Sequence, residues 1–399
     1  MLSRLVFSKN NLFFAFLIFG YLFGVIFYDF IGFDYVDELM ALFLVVFTGM
    51  VVMERKKWKE LIPIGIVAGI FIFYLIYSFL IKSNTPIAIC MDFLTQLKPF
   101  LGFYCTFLIA PVLTVSQKRF LSILCIVIAG GLFILGIIDV NFLFFGHQSR
   151  YATAVVATFF LLSYCSTNSW SDIVVLLLIL TIGLISTRSK FHGFWAIAIF
   201  LMVYMKLGGR IRFNITTTVL FGCLALITIW LAKDKIILYY VDGMMNSQEM
   251  WSRPAMMLTS MQILYDYFPF GSGLGSFGTF ASAEYYSPVY SAYGIDHLWG
   301  LSKDMPAFIC DAFYPELAQF GVAGVILYFA FWFSILRKST KEQLPSGQLF
   351  VLLIFIFFLI EGIADATFTQ NRGLFILILL GLISVSYTHL RAHETTLHL

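Results

Sequence analysis

Apolar residues fill long uninterrupted blocks along most of the chain, and the blocks end at short clusters of charged and turn-forming residues. Blocks of roughly 18 or more apolar residues mark helices able to cross a bilayer. Dividing the chain at its polar breaks predicts about twelve spans. They lie near residues 11–33, 35–53, 61–81, 97–115, 120–142, 151–168, 171–187, 191–207, 213–232, 317–336, 349–366 and 373–385. Backbone groups in hydrocarbon must be bonded within their own segment, so each span is expected to be a helix. One stretch breaks the pattern, because residues 233–315 contain no block long enough to span. The expected organisation is nine spans over 1–232, a large loop with amphipathic helices over 233–315, three more spans over 316–385, and a polar end, 386–399.

Composition sharpens this. Of 399 residues, 60% are hydrophobic and 12% are charged, against about 45–50% and about 25% in soluble globular chains. An all-helical polytopic membrane protein fits; a soluble nucleic-acid binder or a secreted disulfide scaffold does not. The six Cys show no CxxC pair, and five lie in or beside apolar blocks, where they read as small buried apolar side chains. The final SYTHLRAHETTLHL carries three of the six His and resembles translated sequencing adapter. It is expected to be foreign, so its His spacing is not read as a metal site.

Where the charges sit is more informative than their sum. Lys and Arg concentrate in segments that would share a side with the N-terminus, such as Arg55 to Lys59, Lys118-Arg119 and Arg337-Lys338. Basic residues favour the cytoplasmic side, so both termini are expected inside and the large loop outside. That loop holds four basic residues and eight acids among many Tyr, Trp and Phe. Such a surface suits sugars, whose apolar ring faces stack on aromatics and whose hydroxyls donate to carboxylates. An amphipathic cap lying on the bilayer is the alternative.

Four Arg fall on the outer side: Arg150 in HQSR, Arg188 in STRSK, Arg253 in the loop and Arg372 in TQNR. A guanidinium offers a planar fork of donors suited to phosphate oxygens. Their simpler role is snorkelling at span ends. Glu361 and Asp365, within or at the end of a span, are costly acids that would face a cavity. In the loop, Pro254 follows Arg253 at the start of an amphipathic stretch that ends near Pro269, and GSGLGSFG comes next. Gly273, Gly275 and Gly278 spell GxGxxG, but no strand precedes them, which argues against a dinucleotide fingerprint. A turn whose backbone approaches a ligand or another helix fits better.

The arrangement of Arg253, a helix, FPFGSGLGSFG and then DAFYPELAQFGVAGVILY resembles the O-antigen polymerase and O-antigen ligase superfamily. Two motifs carry it: Pro269 to Phe277, and the helix start from Phe313 to Gly324. The resemblance implies a GT-C-like fold and a bacterial inner-membrane location with the loop periplasmic. It implies a Wzy-type, metal-independent glycosyltransferase with no cofactor that polymerises undecaprenyl-pyrophosphate-linked oligosaccharide repeats, as in O-antigen, capsule or exopolysaccharide. Its partners would be the lipid-linked donor, the bilayer, a chain-length regulator and a flippase, with no nucleic acid. Pyrophosphate binding by outer Arg would map onto Arg253 and Arg188. Ligases place a His where this chain has Cys310-Asp311, so Asp311 becomes the candidate base, although an Asp there also suits a helix cap. Arg150, Arg372, Gly273, Gly275, Tyr314, Glu316 and His297 complete the candidate substrate contacts. The alternatives are a ligase acting on lipid A core, which the missing His disfavours, and a transporter or flippase, which the lack of an internal repeat disfavours.

Overall fold

The computed structural model describes residues 2–33, 35–208, 222, 233, 237–243, 250–342 and 345–396. The expected span at 213–232 and Cys223 fall outside the described residues, apart from the backbone of residue 222 and the single residue 233 beside them. Among those described there is no strand; the protein is all helical. The long helices are α1 Leu2–Tyr21, α2 Val36–Arg55, α3 Ile62–Ile81, α4 Pro86–Ile109, α5 Val115–Ile138, α6 Gln148–Cys165, α7 Trp170–Ile182 and α8 Ser189–Lys206. Then follow α9 Ser252–Asp266 in the loop, α10 Gly321–Glu342, α11 Pro345–Glu361 and α12 Asn371–Thr396. Among the described residues, five helical stretches are long and apolar enough to cross a membrane: Lys9–Ile26, Val36–Arg55, Trp58–Ile81, Val115–Ile138 and Phe313–Ser339.

Those five are largely peripheral, and their outward faces carry exposed Leu80, Val127, Leu42 and Ile326. The centre is held by α6 and α12. Residues 151–164 and 371–385 are buried on every side, as expected of helices surrounded by other helices. α12 lies along α4 at close range because glycines face the contact. A Cβ on Gly102 would stand 2.5 Å from Leu374 Cδ1, and one on Gly381 would stand 2.7 Å from the Phe103 carbonyl oxygen. Small residues let helix backbones approach in this way.

α4 departs most from expectation. It begins at Pro86, capped by the Thr85 hydroxyl on the Ala88 N–H, eleven residues before the apolar block that marks it in the sequence. Its first half carries Asp92, Gln96 and Lys98, which face protein rather than lipid. Lys98, near the start of the expected span 97–115, is buried in mid-helix, 2.5 Å from Asp37 and 2.6 Å from Glu38 on α2. Of the cysteines within expected spans, Cys105 and Cys125 are buried and Cys165 is partly so; Cys90, between two expected spans, is exposed. α12 runs through residue 385 into the polar end as far as Thr396.

The turns alternate between two ends of the bundle. One end, called here the loop end, gathers residues 28–33, 35–36, 82–85, 139–147, 187–189 and 362–370 together with the described part of 250–316, as side-chain contacts among these segments show.

Candidate functional site

The Gly-rich segment is built into the loop end. Gly271, Gly273, Gly275 and Gly278 all take positive φ, between 69° and 86°. Gly271 meets Gly321 backbone to backbone: a Cβ on either would fall 2.2 or 2.3 Å from the other's nitrogen. The α3–α4 turn clasps the segment, with the Ser83 hydroxyl donating to the Leu274 carbonyl at 2.8 Å and Asn84 Nδ2 to the Gly275 carbonyl at 2.7 Å. Gly275 N–H donates to Asp92 Oδ2 at 2.8 Å. Gly273 and Gly275 are thus turned towards helices α3 and α4 and buried there.

Behind this turn sits a buried polar knot. Gln96 Nε2 bridges Asp92 Oδ1 at 3.3 Å and Glu316 Oε1 at 3.4 Å, and Gln319 Oε1 accepts from Gly275 N–H at 3.1 Å. Glu316 is 1% exposed, so it joins the loop to α4 inside the protein rather than presenting its carboxylate at the surface. Tyr314 donates its hydroxyl to the Leu359 carbonyl at 2.7 Å.

The outer arginines fall into three settings. Arg253 Nε lies 2.5 Å from Asp311 Oδ2, each side chain about a quarter exposed. Arg150 and Arg372 share Asp29; the Arg150 contact is 2.7 Å, and Arg372 pairs with the other carboxylate oxygen. Arg372 is 3% exposed. Its Nε donates to the Val25 carbonyl, and Asn371 donates to the Gly24 carbonyl. Both acceptors lie in the π-turn Leu22–Ile26 that follows α1, where the wider winding disturbs the ordinary carbonyl pairing. Arg372 is enclosed among protein partners and clamps the two ends of the chain together.

Arg188 is different. One of its terminal nitrogens contacts His147 Nε2. Among the described residues no carboxylate lies within ion-pair distance of it, and its buried Nε has no hydrogen-bond partner. Lys190, two residues on, is held by Glu361 at 2.7 Å and Asp365 at 3.2 Å. Burial and the charge of Arg188 lower the proton affinity of His147, with Lys190 and Arg150 adding to the effect and Asp365 opposing it.

The turn that carries Asp365 links the settings, since Asp365 pairs with Lys190, two residues from Arg188. Burial, reinforced by Glu316, Asp311 and Asp365, pushes the Cys310 thiol up to about 11. The Phe313 N–H donates to the Gly362 carbonyl at 3.0 Å, tying the segment after Asp311 to the turn that carries Asp365. His297 is exposed in the loop between the buried Ile295 and Leu298. An apolar cavity of about 430 Å³ begins at Phe313 and Tyr314 and continues between α10, α11 and α12 past Tyr328, Trp332, Phe355 and Phe368.

The structure therefore brings Arg253 to Asp311 and Arg188 into the same loop-end group, and places Gly273, Gly275, Glu316 and Arg372 in internal contacts. Sequence reasoning passed over His147 and Lys190 as site residues. Their only signal was a position beside span ends that also carry Arg. Comparison with protein-family models and with curated proteins finds no match to this chain.

Proposed function

We propose that the protein is a membrane glycosyltransferase that joins polyprenyl-pyrophosphate-linked oligosaccharide repeats into a polymer at the outer face of a bacterial inner membrane. The observation that carries the reading is Arg188, a loop-end guanidinium without a carboxylate among the described residues, grouped through the 362–365 turn with the Arg253–Asp311 pair. A departing pyrophosphate gains negative charge in the transition state, and pre-placed guanidiniums stabilise that charge.

In this reading the acceptor hydroxyl attacks the anomeric carbon, the bond from that carbon to the pyrophosphate oxygen breaks, and configuration inverts. Asp311 receives the hydroxyl proton and orients Arg253. The aromatic cavity of about 430 Å³ takes the first part of the hydrocarbon tail, beside the segment that carries Asp311. The test is chain extension in cells carrying Arg188→Ala or Arg253→Ala, with the amount of protein in the membrane measured alongside. Both variants should reach the membrane and fail to extend; wild-type polymer from either would overturn the assignment.

A further inference from the structure

The pairing of Arg188 with His147 is unusual, because a permanent cation sits on a ring that can become a cation itself. Burial first, and then the basic neighbours, disfavour a charge on that ring. Arg188 and Lys190 face it from the start of α8, Arg150 lies one turn into α6, and only Asp365, from the turn before α12, favours its charge. Because a guanidinium only donates, its contact with Nε2 requires the neutral ring to carry its hydrogen on Nδ1; His147 stands at the N-cap position of α6, and the positive end of that 18-residue helix further disfavours a charged ring. His147 is an exposed residue whose ring is partly covered by its neighbours, so both protons and ligands reach it.

An arriving phosphate reverses this balance. Its oxygens supply acceptors for Arg188, freeing the Nε2 lone pair of the imidazole, and its charge offsets the cations that disfavour a charged ring. We propose that His147 and Arg188 together form a proton-coupled phosphate site, in which the imidazole binds one proton from water as the pyrophosphate of the lipid carrier settles on Arg188. The proposal rests on the functional reading above and adds to it a residue and a proton. Nothing is oxidised or reduced; a proton moves from solvent to Nε2 on binding and returns on release.

The test uses the full chain in maltoside detergent and a farnesyl methyl pyrophosphate diester, whose charge does not change across the neutral range. Calorimetry in buffers of differing ionisation enthalpy counts the protons taken up. Uptake should approach about one per site near neutral pH, and the Kd should fall by up to roughly tenfold per unit decrease in pH while the ring titrates. His147→Asn keeps a capping oxygen but has no basic nitrogen; it should bind more weakly, with no uptake and a flat pH profile. Binding by the wild type without uptake, or uptake persisting in His147→Asn, overturns the proton-coupled site and leaves the functional reading standing. No binding by the wild type overturns both. The proton count on the wild type decides the matter even if the variant does not fold. In nanodiscs containing phosphatidylglycerol the affinity should be unchanged; loss of probe binding there would assign the site to a bilayer phospholipid headgroup instead.

Discussion

Arg253 and Asp311 lie at opposite ends of the described loop, yet Nε of one stands 2.5 Å from Oδ2 of the other. The pair closes the loop over the segment that enters α10. Because both side chains are partly in solvent, their attraction contributes on the order of 0–1 kcal/mol to stability. Asp311→Asn should therefore melt close to the wild type. Chain extension measured with purified protein should fall by on the order of a hundredfold if Asp311 accepts the proton. Unchanged extension would remove Asp311 from that role.

The two arginines on Asp29 should respond unequally. Arg372 is buried, and its removal leaves Asp29 Oδ2 and the Val25 carbonyl without their partner inside the protein, a loss of roughly 3–5 kcal/mol. Arg150 is about half exposed, and its removal should cost about 0–1 kcal/mol. Thermal unfolding of Arg372→Ala and Arg150→Ala in detergent would show the difference; equal losses would contradict the clamp.

Glycine positions offer a sharper contrast. Gly271 and Gly294 both hold positive φ, but only at Gly271 does an added Cβ strike backbone, at 2.2 Å; at Gly294 nothing lies within 4 Å. Gly294→Ala should cost about 1–2 kcal/mol for conformation alone. Gly271→Ala should add roughly 1–3 kcal/mol for displaced backbone. The fraction of protein surviving a heat step, read by gel filtration, ranks the two.

Cys310 supplies a pH test. Its thiol is pushed up to about 11, so the protonated form dominates below that pH and only about one molecule in a thousand carries the thiolate at about pH 8. Alkylation by iodoacetamide, followed by mass spectrometry of the Cys310 peptide, should be slow at about pH 8 and rise roughly tenfold for each added pH unit until about 11. A rate that levels off near the ordinary thiol value would show that the loop end is open to water around Cys310.

The helices were legible wherever their outward faces are apolar, because length and hydropathy alone mark a helix such as α3 or α5. α4 was half hidden. Its Asp92, Gln96 and Lys98 look like loop residues until their partners Glu316, Asp37 and Glu38, distant in sequence, are seen to enclose them. The Thr85-Pro86 pair was the local sign of its true start. For the candidate site, residue type and position alone single out Arg253, Arg188 and Asp311 as candidates. What separates Arg188 from Arg372 is the presence of a carboxylate brought in from elsewhere. Asp29 lies 343 residues from Arg372 along the chain, and no local pattern announces it.

The central place of α12 bears on how the protein is made. This helix is synthesised after α4, α6, α10 and α11, the very helices that enclose it. Until residues 371–385 leave the ribosome, their future neighbours must stay apart or close over a vacancy, and the π-turn carbonyls of Gly24 and Val25 must wait without Asn371 and Arg372. Assembly is therefore governed by a late keystone: a chain stopped short of it keeps most of its helices and loses the arch.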